Sequence, residues 1–438
     1  MAILAKAHPQ KRLFISLLTR DIGLADAFLD VIDNSINAAL KQLGLGVNSS
    51  ADYIDLLSQE RRPKHFIKIS YDENSVRFVD NCGGIAAKDA EDKVFVFGAS
   101  DQSHLQDRLS VYGIGLKRAM FKLGNRVVMR SDHPDGGFDL DLNVAKWESK
   151  VEESWTFPIS KRSSTREGRT TLMVSELYSD VKSRLGNSAF ESELSNKIAY
   201  SYSFFIGKVV DIHLNDRKIP GRVPEIGGNQ ASETYQEGEV SVAVSAGLGE
   251  PGGSGHYSAE TAGWNIFCNG RAVIVNDRSR LTGWGIDGFL PSFKPKHRPF
   301  VGVVFFTSDN PELLPWTTTK LGVNPDNIVW QRALRRMADV GRQVTRFLDS
   351  RYQEEGTVIT KDELVDAIGE RAELKLAVTA PTRTFSAPKR KSSALTSIQF
   401  KVDKKLLSRV KAAIGAPSMS NAEVGQYILD YFVESELD

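Results

Sequence analysis

The hydrophobic pattern divides the first part of the chain into helices and alternating strands. Apolar residues recur every three or four positions through residues 12–43, which predicts one long helix. Residues 65–81 alternate apolar and polar side chains around a polar turn, which is typical of a β-hairpin. Further helical or alternating segments follow at residues 88–100, 116–124, 126–132, 137–143 and 169–177. The pattern predicts an α/β sandwich with one helical layer over residues 1–178.

A second α/β pattern starts at residue 179. It predicts a helix ending near residue 207, several strands, and a long helix that follows the loop at 314–327 and ends near residue 355. The strands are predicted at residues 208–216, 239–247, 264–275 and 299–307. We therefore predict a second α/β domain over residues 179–355.

The rest of the chain predicts a linker and a small module. We predict a helix and a flexible basic linker over residues 356–395. The linker is indicated by residues 374–395, which contain prolines, serines and basic residues but no acidic residue. Residues 396–438 have a strand, helix, helix pattern. On the strand, the alternation points Ser397, Gln399 and Lys401 outward and Ile398, Phe400 and Val402 toward a core.

Composition narrows the function classes without selecting one. The 438 residues are 41% hydrophobic and 25% charged, and the net charge is +1, so no strong overall field attracts nucleic acid or membrane. Cys82 and Cys268 are far apart and form no metal-ligand spacing, which fits a reducing compartment. No apolar run approaches eighteen residues and no secretory signal is evident. We expect a cytoplasmic protein without a membrane partner.

Three polar residues share one face of the first predicted helix. Asp30, Asn34 and Asn37 follow the spacing i, i+4 and i+7 inside an otherwise apolar segment. Taken alone, this pattern also fits the solvated face of an ordinary amphipathic helix. Whether this face binds a ligand or is solvated depends on which other residues of the chain lie against it.

A carboxylate and a glycine pair end the predicted hairpin. Asp80 is followed by Gly83 and Gly84, which allow a planar ligand to approach the backbone closely. Such an acceptor suits the exocyclic amine of adenine. A glycine turn closing a hairpin is the structural alternative.

Two glycines open a later helix. Gly113 and Gly115 precede Lys117, so free backbone amides, the helix dipole and a lysine would all favour an anion such as phosphate. A lone pair of glycines is also common before ordinary helices. The chain lacks a P-loop motif, so a nucleotide site must be of another kind.

Taken in order, these three features resemble the GHKL ATPases with the Bergerat fold, a superfamily that includes gyrase, the ninety-kilodalton heat-shock chaperones, histidine kinases, MutL and MORC proteins. "DVIDNSINAA", "DNCGGI" and "GIGLKRA" are similar to its helix, adenine and ATP-lid motifs. The resemblance implies bound ATP and Mg²⁺, with Asn34 as the metal ligand and Asp30 as the general base. It also implies a set of other nucleotide-binding residues: Asn37, Asp80, Gly83, Gly84, Gly113, Ile114, Gly115, Leu116, Lys117 and Thr170 or Thr171.

The match departs from the superfamily at two positions. Residue 30 is Asp, whereas hydrolysing members usually carry Glu, and a carboxylate one methylene shorter can misplace the attacking water at a cost of roughly 10²-fold in rate. We therefore expect slow hydrolysis, with a binding-only switch as the alternative. Cys82 replaces a glycine, which is tolerated if that position keeps a negative φ.

The second domain resembles the transducer domain of gyrase-like, MutL, chaperone and MORC members. "LPWTTTKLGVN" is similar to the loop that sends a lysine to the γ-phosphate, so the resemblance makes Lys320 the candidate sensor. A solvated loop lysine is the alternative. A sensor would pull the two domains together when ATP is bound.

The last module resembles a ribbon-helix-helix fold, which implies dimerisation and contact with DNA. A helical dimerisation tail fits the same pattern. Lys389, Arg390 and Lys391 of the linker are candidates for phosphate-backbone contacts, and a solubilising linker is the alternative.

Together these features predict a slow, Mg²⁺-dependent ATPase that acts as an ATP-gated homodimer or clamp, on DNA or with a separate effector protein. Two alternatives stay open: a chaperone-like ATPase with protein clients, and a DNA-binding regulator whose nucleotide site does not hydrolyse ATP.

Overall fold

The computed structural model describes residues 10–45, 53, 57, 62–98, 107–111, 113–150, 155–252, 256–355, 364, 367–368, 371–372, 382–387, 398 and 401–437. The chain divides into two compact units, residues 1–387 and residues 388–438, and each is described by itself.

The first unit begins with a mixed α/β layer structure. Its helices are α1 (Lys11–Thr19), α2 (Leu24–Gln42), α3 (Ala87–Asp89, continued by a π-helical segment over Ala90–Val94), α4 (Gly115–Leu123), α5 (Val144–Ser149), α6 (Ser179–Leu185) and α7 (Ser188–Ser201). Its strands are β1 (His65–Tyr71), β2 (Ser75–Asp80), β3 (Gly124–Asp132), β4 (Phe138–Asn143), β5 (Ile159–Lys161), β6 (Arg169–Leu177), β7 (Val210–Leu214) and β8 (Arg217–Lys218). They form one sheet in the order β5-β4-β3-β6-β2-β1-β7-β8. The α+β class expected from the sequence is confirmed.

Helix α2 is enclosed on nearly all sides. Phe28 packs against Phe78 of β2 and Phe190 of α7, with ring centroids 5.3 and 5.9 Å apart. Fully burying each such side chain contributes roughly 1.5–3 kcal/mol. Because neighbouring elements also surround the polar face of α2, Asp30 and Asn37 are buried instead of solvated.

The single long helix predicted over residues 12–43 is wrong. The chain forms α1 and α2, separated at residues 20–23. Gly23 is the N-cap of α2 and is extended, with ψ near 157°, and a Cβ there would come within 2.8 Å of Asp26 Oδ2. The apolar period continues across this break, which is why periodicity alone misses it.

The boundary expected at residue 179 also needs correction. Strand β7 pairs in parallel with β1, with Val210 opposite His65, and β8 extends the same sheet. Helices α6 and α7 pack on each other, and α7 also contacts α2. The first sheet therefore includes residues beyond 179. After the helices α6 and α7, β7 pairs in parallel with β1, as strands joined by a helical connection can.

The second sheet starts near residue 230. Its strands are β10 (Gln230–Glu237), β11 (Val240–Leu248), β12 (Gly263–Cys268), β13 (Arg271–Asp277) and β14 (Phe300–Thr307). They are ordered β10-β11-β14-β12-β13, and the long helix α8 (Ile328–Glu355) packs on β10, β11 and β14. A short pair joins β9 (Ile226–Gly227) to β15 (Arg371–Ala372). The sequence pattern does not predict β10, an edge strand with largely polar side chains.

One strand predicted at residues 264–275 is instead a hairpin. β12 and β13 pair antiparallel around Asn269 and Gly270, which have φ of 45° and 77°. Two successive residues with positive φ are typical of a tight hairpin turn, and Asn-Gly is its strongest sequence signal. The apolar segments on both sides, residues 266–268 and 272–275, conceal the turn.

The second unit contains α9 (Lys404–Ala413) and α10 (Asn421–Glu436). Asp403 caps α9, and a capping box of Ser420 and Glu423 starts α10. Ser397, Gln399, Phe400 and the basic run at 389–391 lie outside the described residues. Lys401 and Val402 are described and form no strand, and Ile398 and Val402 are exposed, contrary to the core positions predicted for them. In the described part of the chain, no helix is both long and apolar enough to cross a lipid bilayer.

Candidate nucleotide-binding site

The carboxylate of Asp30 is held by an arginine that the sequence analysis does not single out. Arg118 of α4 donates from Nε to Oδ2 at 2.8 Å and from Nη2 to Oδ1 at 2.7 Å. Both side chains are almost fully buried, at 4% and 6% exposure. Burial raises the pKa of Asp30, and the Arg118 guanidinium opposes that rise only in part. Asp30 is therefore a buried, paired carboxylate.

The two asparagines of α2 each have one unused polar atom facing the same region. Asn34 Nδ2 donates to the Asp30 carbonyl at 3.0 Å, and within the described residues no donor engages Asn34 Oδ1. Asn37 Oδ1 accepts from the Leu109 amide at 3.0 Å. Asn37 Nδ2 is buried and has no hydrogen-bond partner among the residues described. An orphaned buried donor and a free amide oxygen fit a ligand that carries acceptors and a cation.

Asp80 ends β2 in a hydrogen-bonded pocket. Its Oδ2 accepts from Ser35 Oγ and its Oδ1 from the Cys82 amide, both at 2.9 Å. Burial raises the pKa of Asp80 despite these bonds. Thr170 of β6 lies opposite Asp80 in the sheet and lines the same cavity, whereas Thr171, the next residue in the strand, faces the other side of the sheet.

Gly83 and Gly84 adopt conformations that other residues rarely take. Their φ angles are 109° and 69°. A Cβ on Gly84 would lie 1.9 Å from the Asp132 carbonyl oxygen, so the turn is closed to any larger residue. Cys82 is not among the non-glycine residues with positive φ, which confirms that this position tolerates a side chain.

The N-terminus of α4 lies beside Asp30 and Asn34 of α2. Gly113 has φ of 59°, and Ile114 is the N-cap without a side-chain cap hydrogen bond. A Cβ on Gly115 would lie 3.3 Å from Asp30 Oδ1, so this glycine lets α4 approach α2. Leu116 lines the adjoining cavities. The first-turn amides are therefore free to bind an anion.

Lys117 does not lie with the other residues of its motif. Its ammonium donates to the carbonyls of Val94 and Val96, at 2.8 and 2.7 Å, and is 1% exposed. Burial lowers the pKa of Lys117 to about 8. Successive helical residues point about 100° apart, so the orientation of α4 turns Lys117 away from the cavities and Arg118 toward them.

Three adjoining cavities run along α2. The first, about 70 Å³, lies between Asp80, Thr170 and Val31. The second, about 490 Å³, passes Asn37, Lys41 and Gly113. The third, about 20 Å³, lies among Asp30, Asn34, Ser110, Gly113, Ile114, Gly115, Arg118, Thr318 and Lys320. Asn34 lines all three, so a single elongated ligand could extend from Asp80 to Asp30.

Lys320, in the loop between β14 and α8, lines the third cavity. Its Nζ donates to Asp33 Oδ2 at 2.7 Å and also to the Leu109 carbonyl. Asp33 is fully buried and also accepts from Arg271 Nε at 2.8 Å and Tyr202 Oη at 2.7 Å. Burial alone would raise the pKa of Asp33, but Arg271 and Lys320 hold it below its usual value. Lys320 is therefore beside the third cavity, although its charge is paired.

The residues present fit a magnesium ion only in company with phosphate. Within the described ranges, no group of three or more His, Cys, Asp or Glu side chains could hold a metal. Asn34 Oδ1 remains available as a single oxygen ligand. Mg²⁺ commonly binds through one or two protein oxygens, waters and the oxygens of phosphates.

The comparison with protein families gave a match in this part of the chain. Residues 22–170 match the family model described as histidine kinase-, DNA gyrase B- and HSP90-like ATPase. These residues form a GHKL-type ATPase domain. The match includes every candidate residue of α2, β2 and α4 and ends at Thr170 of β6. A comparison with curated proteins gave no match.

The GHKL domain implies ATP binding, and its matched region contains α2, β2 and α4, which line the cavities. Several residues around the cavities were not predicted: Ser35, Asp33, Arg118, Tyr202 and Arg271. Asp33 offered a signal, since it is a second carboxylate three positions after Asp30 on the same predicted helix. Arg271 and Tyr202 lie far away in the chain, and no local pattern connects them to α2.

Proposed function

We propose that the chain binds MgATP along α2 and hydrolyses it slowly. The observation that carries this proposal is the position of Asn34, which lines all three cavities between the Asp80 end and the Asp30 end. Adenine would place its amine on Asp80, and the phosphates would meet the free amides of α4 and Asn37 Nδ2. Mg²⁺, held by Asn34 and phosphate oxygens, would neutralise phosphate charge.

Asp30 is the proposed general base. It would orient a water whose oxygen bonds the terminal phosphorus as the bond from that phosphorus to the bridging oxygen breaks, giving ADP and phosphate. The proton of the water would pass to Asp30. The ion pair with Arg118 and the short Asp side chain both favour slow turnover.

Binding and phosphate release on Asp80→Asn and Asp72→Asn test the nucleotide site. Asp72 is an exposed carboxylate in the turn between β1 and β2, and it serves as the matched control. Removing the charge at Asp80 should weaken ATP binding by about 1.5–3 kcal/mol, roughly 10–100-fold. The control should bind as the wild type does. Equal ATP binding by wild type and Asp80→Asn would contradict the proposal.

Asp30→Asn separates binding from hydrolysis. If Asp30 is the base, this variant should bind ATP and lose turnover by roughly 10²–10⁴-fold. Wild-type binding without any turnover would favour the second candidate, a regulator with a non-hydrolysing nucleotide site. The buried Asp30 to Arg118 pair is the observation that supports this alternative.

We further propose that the protein acts as an ATP-gated homodimer on DNA or with a separate effector. Among residues 401–437, Val424 is the one buried side chain, so the described part of this unit has almost no core of its own. Helix α10 exposes a set of large apolar residues: Tyr427, Ile428, Leu429, Tyr431, Phe432 and Val433. A second copy of the unit would cover such a surface and supply the missing core.

Mass in solution tests the dimer. We expect the full chain to be a dimer without nucleotide, and residues 1–387 and Phe432→Lys to be monomers. Gln426→Lys changes an exposed polar residue on the same helix and should leave the mass unchanged. DNA retention should require the C-terminal unit and fall steeply with salt. A monomeric full-length chain would contradict a dimer formed through residues 388–438.

A further inference from the structure

The ion pair between Asp30 and Arg118 lies in the wall of the cavity where a terminal phosphate would bind. Arg118 extends from the first turn of α4, and Gly115 on the same turn allows the close approach. The guanidinium engages both carboxylate oxygens, in the geometry that also suits a phosphate. Arg118 could therefore exchange one anion for the other with little movement.

Asp33, a neighbouring carboxylate of α2, differs from Asp30 in the number of its partners. Asp33 also accepts hydrogen bonds from Arg271 and Tyr202, so it would stay paired if Lys320 turned toward a ligand. Among the described residues, Arg118 is the one side chain that donates a hydrogen bond to Asp30. Losing Arg118 would thus free Asp30, whereas losing Lys320 would leave Asp33 paired.

Lys117 cannot supply the charge expected at this helix end without leaving two carbonyls. Its ammonium is buried on Val94 and Val96. Arg118 and Lys320 both line the small cavity among Asp30, Asn34 and Gly113, and Arg118 belongs to the ATPase domain itself.

We propose that Arg118 is a terminal-phosphate sensor that gates Asp30. The γ-phosphate competes with Asp30 for the guanidinium, draws Arg118 away and leaves the carboxylate free to orient water. ADP lacks that phosphate and leaves the pair closed. The inference rests on the proposed nucleotide site and assigns Arg118 the discrimination between ATP and ADP.

Equilibrium binding of MgADP and of Mg²⁺ with a non-hydrolysable ATP analogue tests the sensor. Arg118→Gln should weaken the analogue about tenfold, which corresponds to about 1.4 kcal/mol, and change ADP affinity less than about twofold. Asp30→Asn should tighten the analogue several-fold because Arg118 no longer has to leave a carboxylate. Arg118→Lys, which keeps the charge and loses the paired donors, should lie between wild type and Arg118→Gln.

The double variant Asp30→Asn, Arg118→Gln gives the sharpest comparison. If Asp30 acts through Arg118, the double variant binds the analogue as weakly as Arg118→Gln alone. Arg126→Gln removes an exposed arginine that pairs with Asp141 and is the control for a lost ion pair elsewhere. It should leave both affinities unchanged.

Two results would overturn the sensor and leave ATP binding intact. In the first, Arg118→Gln and Arg118→Lys shift both nucleotides by the same factor, which indicates a structural role. In the second, Asp30→Asn tightens the analogue equally without Arg118, which indicates simple relief of repulsion. Wild-type protein that binds neither nucleotide would instead reject the proposed function, and the sensor with it.

Discussion

At the scale of single residues, the candidate site depends on a few positions where backbone and side chain leave no alternative. Asp80 accepts hydrogen bonds from Ser35 and from the amide of Cys82. Gly83 and Gly84, with positive φ, form the turn that follows it. The candidate role of Asp80 could be predicted from the sequence because a carboxylate before paired glycines is an unusual combination. That of its partner Ser35 could not, since a serine on a helix carries no comparable signal.

Substituting Gly84 should disrupt the candidate nucleotide site through a steric clash. The loss of stability should exceed the loss that its positive φ alone would cause. Gly84→Ala places a Cβ 1.9 Å from the Asp132 carbonyl oxygen. Gly44, with φ of 73° and open space around it, is the matched control. Gly44→Ala should lose about 1 kcal/mol of unfolding free energy from backbone strain alone.

We expect Gly84→Ala to lose clearly more stability than the control and to lose ATP binding, measured by urea unfolding and by titration with nucleotide. Equal losses in the two variants would mean that the turn can move away from Asp132.

At the scale of elements, the β12 to β13 hairpin connects the second sheet to the segment at 107–111. Asn269 Nδ2 donates to the carbonyls of Arg108 and Ser308, both at 3.0 Å, and its Oδ1 accepts from the Ser308 amide at 3.0 Å. Lys320 also donates to the Leu109 carbonyl. Because Asn37 binds the Leu109 amide, the same short segment contacts both α2 and the second sheet.

Asn269→Gly should loosen this segment while keeping the turn. Glycine accepts the positive φ at residue 269 but removes three side-chain hydrogen bonds, each worth about 1 kcal/mol. We expect faster amide hydrogen exchange at 107–111 and weaker ATP binding. Asn276→Gly is the control, since Asn276 also has positive φ and lies at the far end of β13. Exchange that rises equally in both variants would argue against a specific contact.

At the scale of the whole first unit, a buried charge network joins its two large sheets. Asp33 on α2 binds Arg271 of β13, Lys320 of the loop before α8, and Tyr202 after α7. A buried carboxylate is costly unless it is paired, and Asp33 has two cations and a hydroxyl. This network gives the two parts a fixed contact beside the candidate phosphate cavity.

Removing one partner should therefore destabilise the unit strongly. Asp33→Ala leaves Arg271 buried and unpaired, and we expect a loss of about 3–5 kcal/mol in unfolding free energy. Asp33→Ala with Arg271→Met should recover part of that loss because Arg271, the more deeply buried of the two cations on Asp33, is gone. Asp26 lies on the same helix as Asp33 and pairs with Lys197 of α7, which is more exposed than Arg271. Asp26→Ala should cost no more than about 1 kcal/mol. A double variant no more stable than Asp33→Ala would contradict this account.

The sequence by itself determined the α+β class, most strands of the first sheet, and the three motifs that line the cavities, because periodicity and glycine placement are local properties. Tertiary structure decided the rest. It broke the first helix at Gly23, added β7 and β8 to the first sheet, and rotated α4 so that Arg118 faces the cavity and Lys117 does not. Pairing between residues as distant as Asp33 and Arg271 depends on how the two sheets pack, and no local pattern encodes it.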